Sequence, residues 1–309
     1  MPAITHRPRL PEWMKVPYRG APIRDEVRKL LLDLRLNTVC ESAHCPNQCE
    51  CWARGTATFL IMGNCCTRNC RFCAVTHGVP NALEADEPVR VAEAVKALGI
   101  KFAVITSVTR DDLPDGGAAH FAATIHAVRA AVPGVGVEVL TPDFGGRDVD
   151  IATVLAAQPD VFNHNLETCR RLTPAIRSGA EYNRSLHVLA TAARLAGEQT
   201  TSPPGHLPAV PPQRTLIKSG FMLGMGESAT EIDELLADLY ATGVRILTIG
   251  QYLPPTATHW PLERYVTPAE FDHWGRRAKA EFGFPEVVSR PLVRSSFLAE
   301  QSYQSSQIC

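Results

Sequence analysis

Between residues 53 and 285 the chain alternates short, almost uninterrupted apolar runs with longer stretches whose apolar residues recur at helical spacing. TATFLIM (56–62) leads into a loop, and EPVRVAEAVKAL (87–98) follows with an apolar stripe. KFAVITSV (101–108) precedes a helical stretch over 117–131, and VGVEVLTPDF (135–144) precedes DVDIATVLAAQ. DVFNHNLE (160–167) precedes a helix near 183–196. TLIKSGFMLGMGE (215–227) is followed by ATEIDELLADLYATG, and RILTIGQYL (245–253) by TPAEFDHWGRRAKAEFG. In the last of these Thr267 supplies an N-cap and Pro268 a first helical residue. A strand apolar on both faces belongs in a parallel sheet covered on both sides, with each helix as a crossover. Six such units predict an α/β fold, a partial (βα)6 TIM-like barrel with its chemistry at the C-terminal ends of the strands. The same periodicity also admits an open doubly wound sheet.

Residues 1–52 fall outside this repeat as an N-terminal extension, and 286–309 form a C-terminal tail. GEQTTSPPGHLPAVPPQ (197–213) reads as a Pro-rich surface insertion before the fifth strand. With 309 residues, 45% of them hydrophobic, the chain can bury a sizeable core. Lys+Arg 31 against Asp+Glu 32 gives a net charge of −1, which offers neither a basic stripe for nucleic acid nor a polybasic membrane anchor. No apolar stretch approaches the roughly 20 residues of a membrane span, and the first twenty residues lack the apolar core of a signal peptide. A cytoplasmic protein, monomeric by default, is the expectation.

Cysteine usage changes the picture. Of ten cysteines, eight fall between Cys40 and Cys73, and in a reducing compartment such crowding points to metal or iron–sulfur ligation rather than disulfides. CTRNCRFC (66–73) places Cys66, Cys70 and Cys73 at C-x3-C-x2-C after the first strand. Structural zinc closes four ligands, and no fourth partner is evident here. A [4Fe–4S] cube held by three thiolates keeps one iron open, able to take a small molecule through an amine and a carboxylate.

This spacing, at this place in a (βα)6 chain, resembles the radical S-adenosylmethionine superfamily. Upstream, VCESAHCPNQCECW sets Cys40, Cys45 and Cys51 at C-x4-C-x5-C, and VRSSF (293–297) stands near the far end. Together with GTATFLIMG, TSVTRDDLPDGGA, EVLTPDF, FNHNLET, KSGFMLGMGE and IGQYLPPT, these are similar to the lipoyl synthase family from about Pro11 to Ala299. The resemblance implies that Cys66, Cys70 and Cys73 hold a catalytic cluster. It implies that Cys40, Cys45 and Cys51 hold a second [4Fe–4S] cluster with Ser296 as fourth ligand, and that this auxiliary cluster is the sulfur donor. The implied reaction is radical insertion of two sulfurs at the sixth and eighth carbons of an octanoyl chain on a lysine of a lipoyl domain, with two S-adenosylmethionines cleaved. Serine oxygen is a harder ligand than thiolate and is displaced more readily from cluster iron.

By the same resemblance Gly224 and Glu227, in GFMLGMGE, line the S-adenosylmethionine site. Thr106 and Ser107 end the second strand where the amino group is gripped, and Glu138, Asn163 and Asn165 face ribose or carboxylate. The implied partners are octanoylated lipoyl-domain proteins (2-oxoacid dehydrogenase E2 subunits and the glycine cleavage H protein), a reductant such as ferredoxin or flavodoxin, and an iron–sulfur cluster carrier. Another radical sulfur-inserting or peptide-modifying enzyme with an auxiliary cluster is the alternative, which a C-terminal RSS disfavours. Cys49 and Arg290 stand where the family usually has glycine, and Phe297 where it has tyrosine. Cys65 reads as a neighbour of the ligands, Cys169 and Cys309 as incidental, and His44, His77 and His164 as supporting residues. Arg110 is placed to pair with Asp111 or Asp112.

Overall fold

The six apolar runs form strands where the pattern places them in the computed structural model, which describes residues 9–15, 22–43, 45–54, 56–198 and 215–307. The N-terminal extension contributes α1 (Pro22–Asp33), β1 (Asn37–Thr38), α2 (Val39–Ser42) and α3 (Gln48–Ala53). β2 (Thr56–Ile61) leads into the cysteine loop, which holds the short β3 (Cys65–Cys66) and β4 (Thr76–His77) and is followed by α4 (Glu87–Ala97). Then come β5 (Phe102–Ser107), α5 (Ala118–Ala131), β6 (Gly136–Leu140), α6 (Asp148–Ala156), β7 (Val161–Asn163), α7 (Thr173–Ile176) and α8 (Tyr182–Glu198). β8 (Leu216–Leu223), α9 (Ala229–Ala241), β9 (Ile246–Gln251) and α10 (Pro268–Ala280) complete the repeat, and β10 (Glu286–Ser289) and α11 (Ala299–Gln307) follow. The expected cap is present: Thr267 stands ahead of Pro268 and forms a capping box with Glu270. His44, Cys309 and nearly all of the Pro-rich segment lie outside the described residues.

The main sheet runs β1-β2-β5-β6-β7-β8-β9-β10. Each parallel strand lies beside its predecessor in the sheet, so the winding never reverses, which excludes the doubly wound alternative with its switch point. β1 pairs antiparallel with β2 and stands at one edge, with β10 at the other, so the barrel is partial. β10, parallel to β9, makes the parallel set one strand longer than the sequence pattern predicts. No described helix is long and apolar enough to cross a membrane.

Alternation along the strands divides the core in two. Ala103, Ile105, Val137, Val139, Phe162, Ile217, Leu247 and Ile249 pack outward against the helices. Phe102, Val104, Val161, Leu216 and Ile246 form a separate apolar cluster with Ala299 of α11, against which Tyr303 packs. The tail helix thus closes the N-terminal end of the lumen; the Tyr303 ring lies 5.6 Å from Phe102. Above that floor the lumen turns polar. Lys218 Nζ donates to both oxygens of Glu138 at 2.9 Å, and Asn163 Nδ2 donates to Glu138 Oε1 at 3.0 Å.

Candidate functional site

The loop after β2 carries Cys66, Cys70 and Cys73 and is held by the loops that follow the neighbouring strands. Arg71 N–H donates to Ile176 O at 2.8 Å and Trp260 N–H to Arg71 O at 2.8 Å, while His259 Nε2 lies 3.0 Å from Cys73 O. Cys66 Sγ accepts the N–H of Arg68 at 3.4 Å and of Thr109 at 3.3 Å. Burial pushes the Cys73 thiol up to about 12, and Cys70 and Cys66 add to the rise. Burial also raises Cys70, opposed by Arg177 and reinforced by Cys66 and Glu167. The three thiols are therefore close enough to feel one another's charge. With their pKa values raised, Cys70 and Cys73 stay protonated on their own, and an iron centre held there would keep them as thiolates. Cys65 precedes Cys66 on β3, so its side chain points to the opposite face.

The second triad forms beside β2. Cys45 N–H donates to Cys40 O at 3.0 Å, and Cys51 N–H to Asn47 O at 2.9 Å. Burial, with Cys45, raises Cys40 to about 11, and burial, with Cys45 and Cys40, raises Cys51 to about 12. Cys49 and Cys51 lie two residues apart on α3, roughly 200° around the helix. Cys51 takes the side facing Cys40 and Cys45, so Cys49 points away from them. Among the described residues no three His, Cys, Asp or Glu side chains converge on a single ion.

The tail reaches the second triad and the strand ends beneath the first. Asn47 Nδ2 donates to Leu292 O at 2.7 Å, and the charge of Arg294 acts on Cys45. Asn165 Nδ2 donates to Ser295 Oγ, which brings the tail to the end of β7. Val293 lies over Gly250, where a Cβ would sit 2.2 Å from Val293 O, so the tail needs a residue without a side chain there. Ser296 is half-buried in the turn that follows. Arg290 N–H bonds Ile249 O at 3.1 Å, and its φ is not left-handed, so arginine is accommodated where the family pattern has glycine.

Of the predicted polar residues, Ser107, Asn163 and Asn165 carry unpartnered oxygens at the strand ends, whereas Thr106 and Glu138 are already engaged. Ser107 Oγ, Asn163 Oδ1, His164 Nε2, Asn165 Oδ1 and Thr168 Oγ1 are buried and unpartnered. Leaving such an atom unpaired costs about 1–3 kcal/mol, so the mouth suits a ligand rich in amine, carboxylate and hydroxyl groups. Thr106 Oγ1 donates to Leu140 O at 2.9 Å. Glu138 is engaged by Lys218 and Asn163, below the strand ends. Gly224 and Met225 donate their N–H groups to Glu227 at 2.6 and 2.9 Å, so Glu227 shapes its own loop. It lines a groove of about 430 Å³ with Trp260 and Arg264. Arg110 pairs with Asp112 at 2.8 Å, whereas Asp111 pairs with Arg68.

Sequence reasoning missed Glu167, Arg177 and Arg294. Glu167 has φ 66°, which ends the extended run after β7, and Asn165 Nδ2 donates to it at 3.0 Å. Burial raises its pKa, and Arg177 and Arg294 act against that rise. The polar ending FNHNLE was the available signal.

Parallel singly wound strands, and a three-cysteine loop above unpartnered polar strand ends, define the class of the radical S-adenosylmethionine enzymes. Residues 60–208 match the Radical SAM superfamily. Solved structures agree in fold. The FeFe-hydrogenase maturase HydG from Carboxydothermus hydrogenoformans superposes with TM-score 0.58 over 91% of this chain and 69% of its own, at 12% identity. SuiB from Streptococcus suis gives 0.55 over 77% and 53%, at 10% identity. The lipoyl synthase of Rubrobacter xylanophilus is 51% identical over 96% of this chain and 87% of that protein, and that of Deinococcus radiodurans 50% identical over 97% and 86%. The chain belongs to the lipoyl synthase family, a group of radical S-adenosylmethionine sulfurtransferases that use iron–sulfur clusters.

Proposed function

We propose that Cys66, Cys70 and Cys73 hold the catalytic [4Fe–4S] cluster, and that Cys40, Cys45 and Cys51, with Ser296, hold the auxiliary cluster that gives up sulfur. The carrying observation is the tail between Leu292 and Ser296, which touches the Asn47 side of the second triad and, through Asn165, the strand ends beneath the first. When bound, the reduced catalytic cluster and S-adenosylmethionine supply a 5′-deoxyadenosyl radical, a species able to take hydrogen from an unactivated C–H bond. The protein's part is placement. Ser107, Asn163 and Asn165 offer unpaired acceptors to the cosubstrate, Glu227 fixes the Gly224 turn, and Thr106 ties β5 to β6. The helix-plugged floor keeps water from the lumen.

In this reading the extension 1–52 and the tail 286–309 build the auxiliary site around the core 53–285. The substrate is an octanoyl-lysyl group on a lipoyl domain, from 2-oxoacid dehydrogenase E2 subunits or the glycine cleavage H protein. A small electron donor and a cluster carrier serve it in the cytoplasm. Iron and acid-labile sulfide counts test the ligand sets. About eight irons are expected in the reconstituted protein, and about four after replacing either cysteine triad with alanine. Iron contents unchanged in either triple variant would contradict the assignment.

A further inference from the structure

Between Cys66 and Cys70 the loop carries one cation turned inward. Arg68 has a side chain only 10% exposed, and its guanidinium makes two forked contacts. Nε and Nη2 donate to Asp111 at 2.8 and 2.7 Å, and Nη1 and Nη2 donate to Asp143 at 2.9 and 2.8 Å. Asp143, 1% exposed, also accepts from Arg184 Nε at 3.0 Å, and Asp111 accepts from Thr67 Oγ1 at 2.9 Å. Burial opposes ionisation of Asp143, yet Arg68 holds its carboxyl down at about 2. Gly179, at φ 70°, lies beneath the arginine stem, where a Cβ would approach Cδ and Nε to 3.3 Å.

These contacts gather four loops on one side chain. Arg68 follows β2, Asp111 follows β5, Asp143 follows β6, and Gly179 and Arg184 follow β7. Inside the cysteine loop the only regular pairing is the two-residue β3–β4 ladder, so contacts with neighbouring loops set its height above the strands: backbone bonds at Arg71 and the His259–Cys73 contact hold its later half, and the Arg68 clamp holds the half that carries Cys66. The backbone of Arg68 and that of Thr109, two residues before Asp111, both donate to Cys66 Sγ. The clamp and the thiol therefore share the same two segments. A doubly forked guanidinium fixes position and rotation together, which a lysine ammonium does not.

We propose that Arg68 is the positioning residue that sets the catalytic cysteine loop at its working distance from the S-adenosylmethionine-binding ends of β5, β6 and β7. The proposal rests on Cys66, Cys70 and Cys73 being the catalytic cluster ligands.

The test compares wild type, Arg68→Lys, Asp111→Asn and the Cys66→Ala/Cys70→Ala/Cys73→Ala variant after anaerobic reconstitution. Readouts are iron and sulfide content, the electron paramagnetic resonance signal of the reduced protein with and without S-adenosylmethionine, and the KM for S-adenosylmethionine. Arg68→Lys should assemble both clusters, keep the auxiliary signal, and lose most of the spectral response to S-adenosylmethionine. Its KM should rise about tenfold or more, since a misplacement near 1 Å can cost up to ~100-fold. Asp111 is 46% exposed, so Asp111→Asn keeps the fold and decides the matter should Arg68→Lys fail to fold; it should show a smaller change in the same direction. A wild-type response and KM in the folded variants, or loss of the auxiliary cluster along with the catalytic one, overturns the proposal. Wild type holding no more iron than the triple-cysteine variant overturns the cluster assignment beneath it.

Discussion

His164 is buried just past β7, its Nδ1 placed to donate to Thr141 O at 2.9 Å and its Nε2 unpartnered. Burial, reinforced by Arg177, lowers its pKa to about 4, so the folded protein keeps the imidazole neutral. An unfolded histidine titrates near 6.5. The stabilisation is therefore whole above pH ~6.5 and is lost as pH falls through about 4. About 3 kcal/mol should disappear across that window. Denaturant unfolding of the cluster-free protein at several pH values should show it, with His164→Gln losing most of the pH dependence. Lys218 and Glu138 make the opposite case, a charge buried with its partner. Lys218→Met strands the carboxylate and should cost about 3–5 kcal/mol. Chemical denaturation of the single variant against Lys218→Met/Glu138→Leu checks this, because replacing both partners should recover much of the loss.

At the scale of elements, the tail and β9 depend on each other. Gly250→Ala puts a methyl group against Val293 O, a backbone atom that yields only if the tail moves. The expected cost is about 1–3 kcal/mol. Iron should be lost selectively from the auxiliary site, which iron analysis of Gly250→Ala in the Cys66→Ala/Cys70→Ala/Cys73→Ala background resolves. The six strands of the repeat were legible because a strand buried on both faces reads as a continuous apolar run. β1 and β10 were not: β1 has two residues, and β10, EVVS, is half-buried throughout and carries no long apolar run. α11, AEQSYQSSQ, looks like a polar surface helix, and only its docking through Ala299 and Tyr303 reveals its role as the lumen's floor. Cys66, Cys70 and Cys73 stood out by spacing and by their place after the first strand, whereas Cys40, Cys45 and Cys51 were picked out by the family resemblance. Arg68, Glu167, Arg177 and Arg294 were not legible, because their partners come from distant loops; Arg68 and Asp143, for instance, are 75 residues apart.

The described residues form an open barrel on which the N-terminal extension and the C-terminal tail meet. The N-terminal extension brings one thiol triad beside β2, and the C-terminal tail crosses β9 to reach that triad and the mouth together. Under the proposed ligand assignment, two sites that act on one carbon chain are tied by a single strap, while an apolar plug and a buried ion pair fill the lumen below. In that assignment the strap joins sulfur donation to radical chemistry in one active site. The direct test is an anaerobic single turnover of the reconstituted protein with S-adenosylmethionine, dithionite and an octanoyl-lysyl peptide, reading peptide mass and 5′-deoxyadenosine together, in wild type and Ser296→Ala. Singly and doubly thiolated peptide with matching deoxyadenosine is the predicted result, with thiolation impaired in Ser296→Ala. Deoxyadenosine without thiolated peptide from wild type carrying both clusters would contradict it.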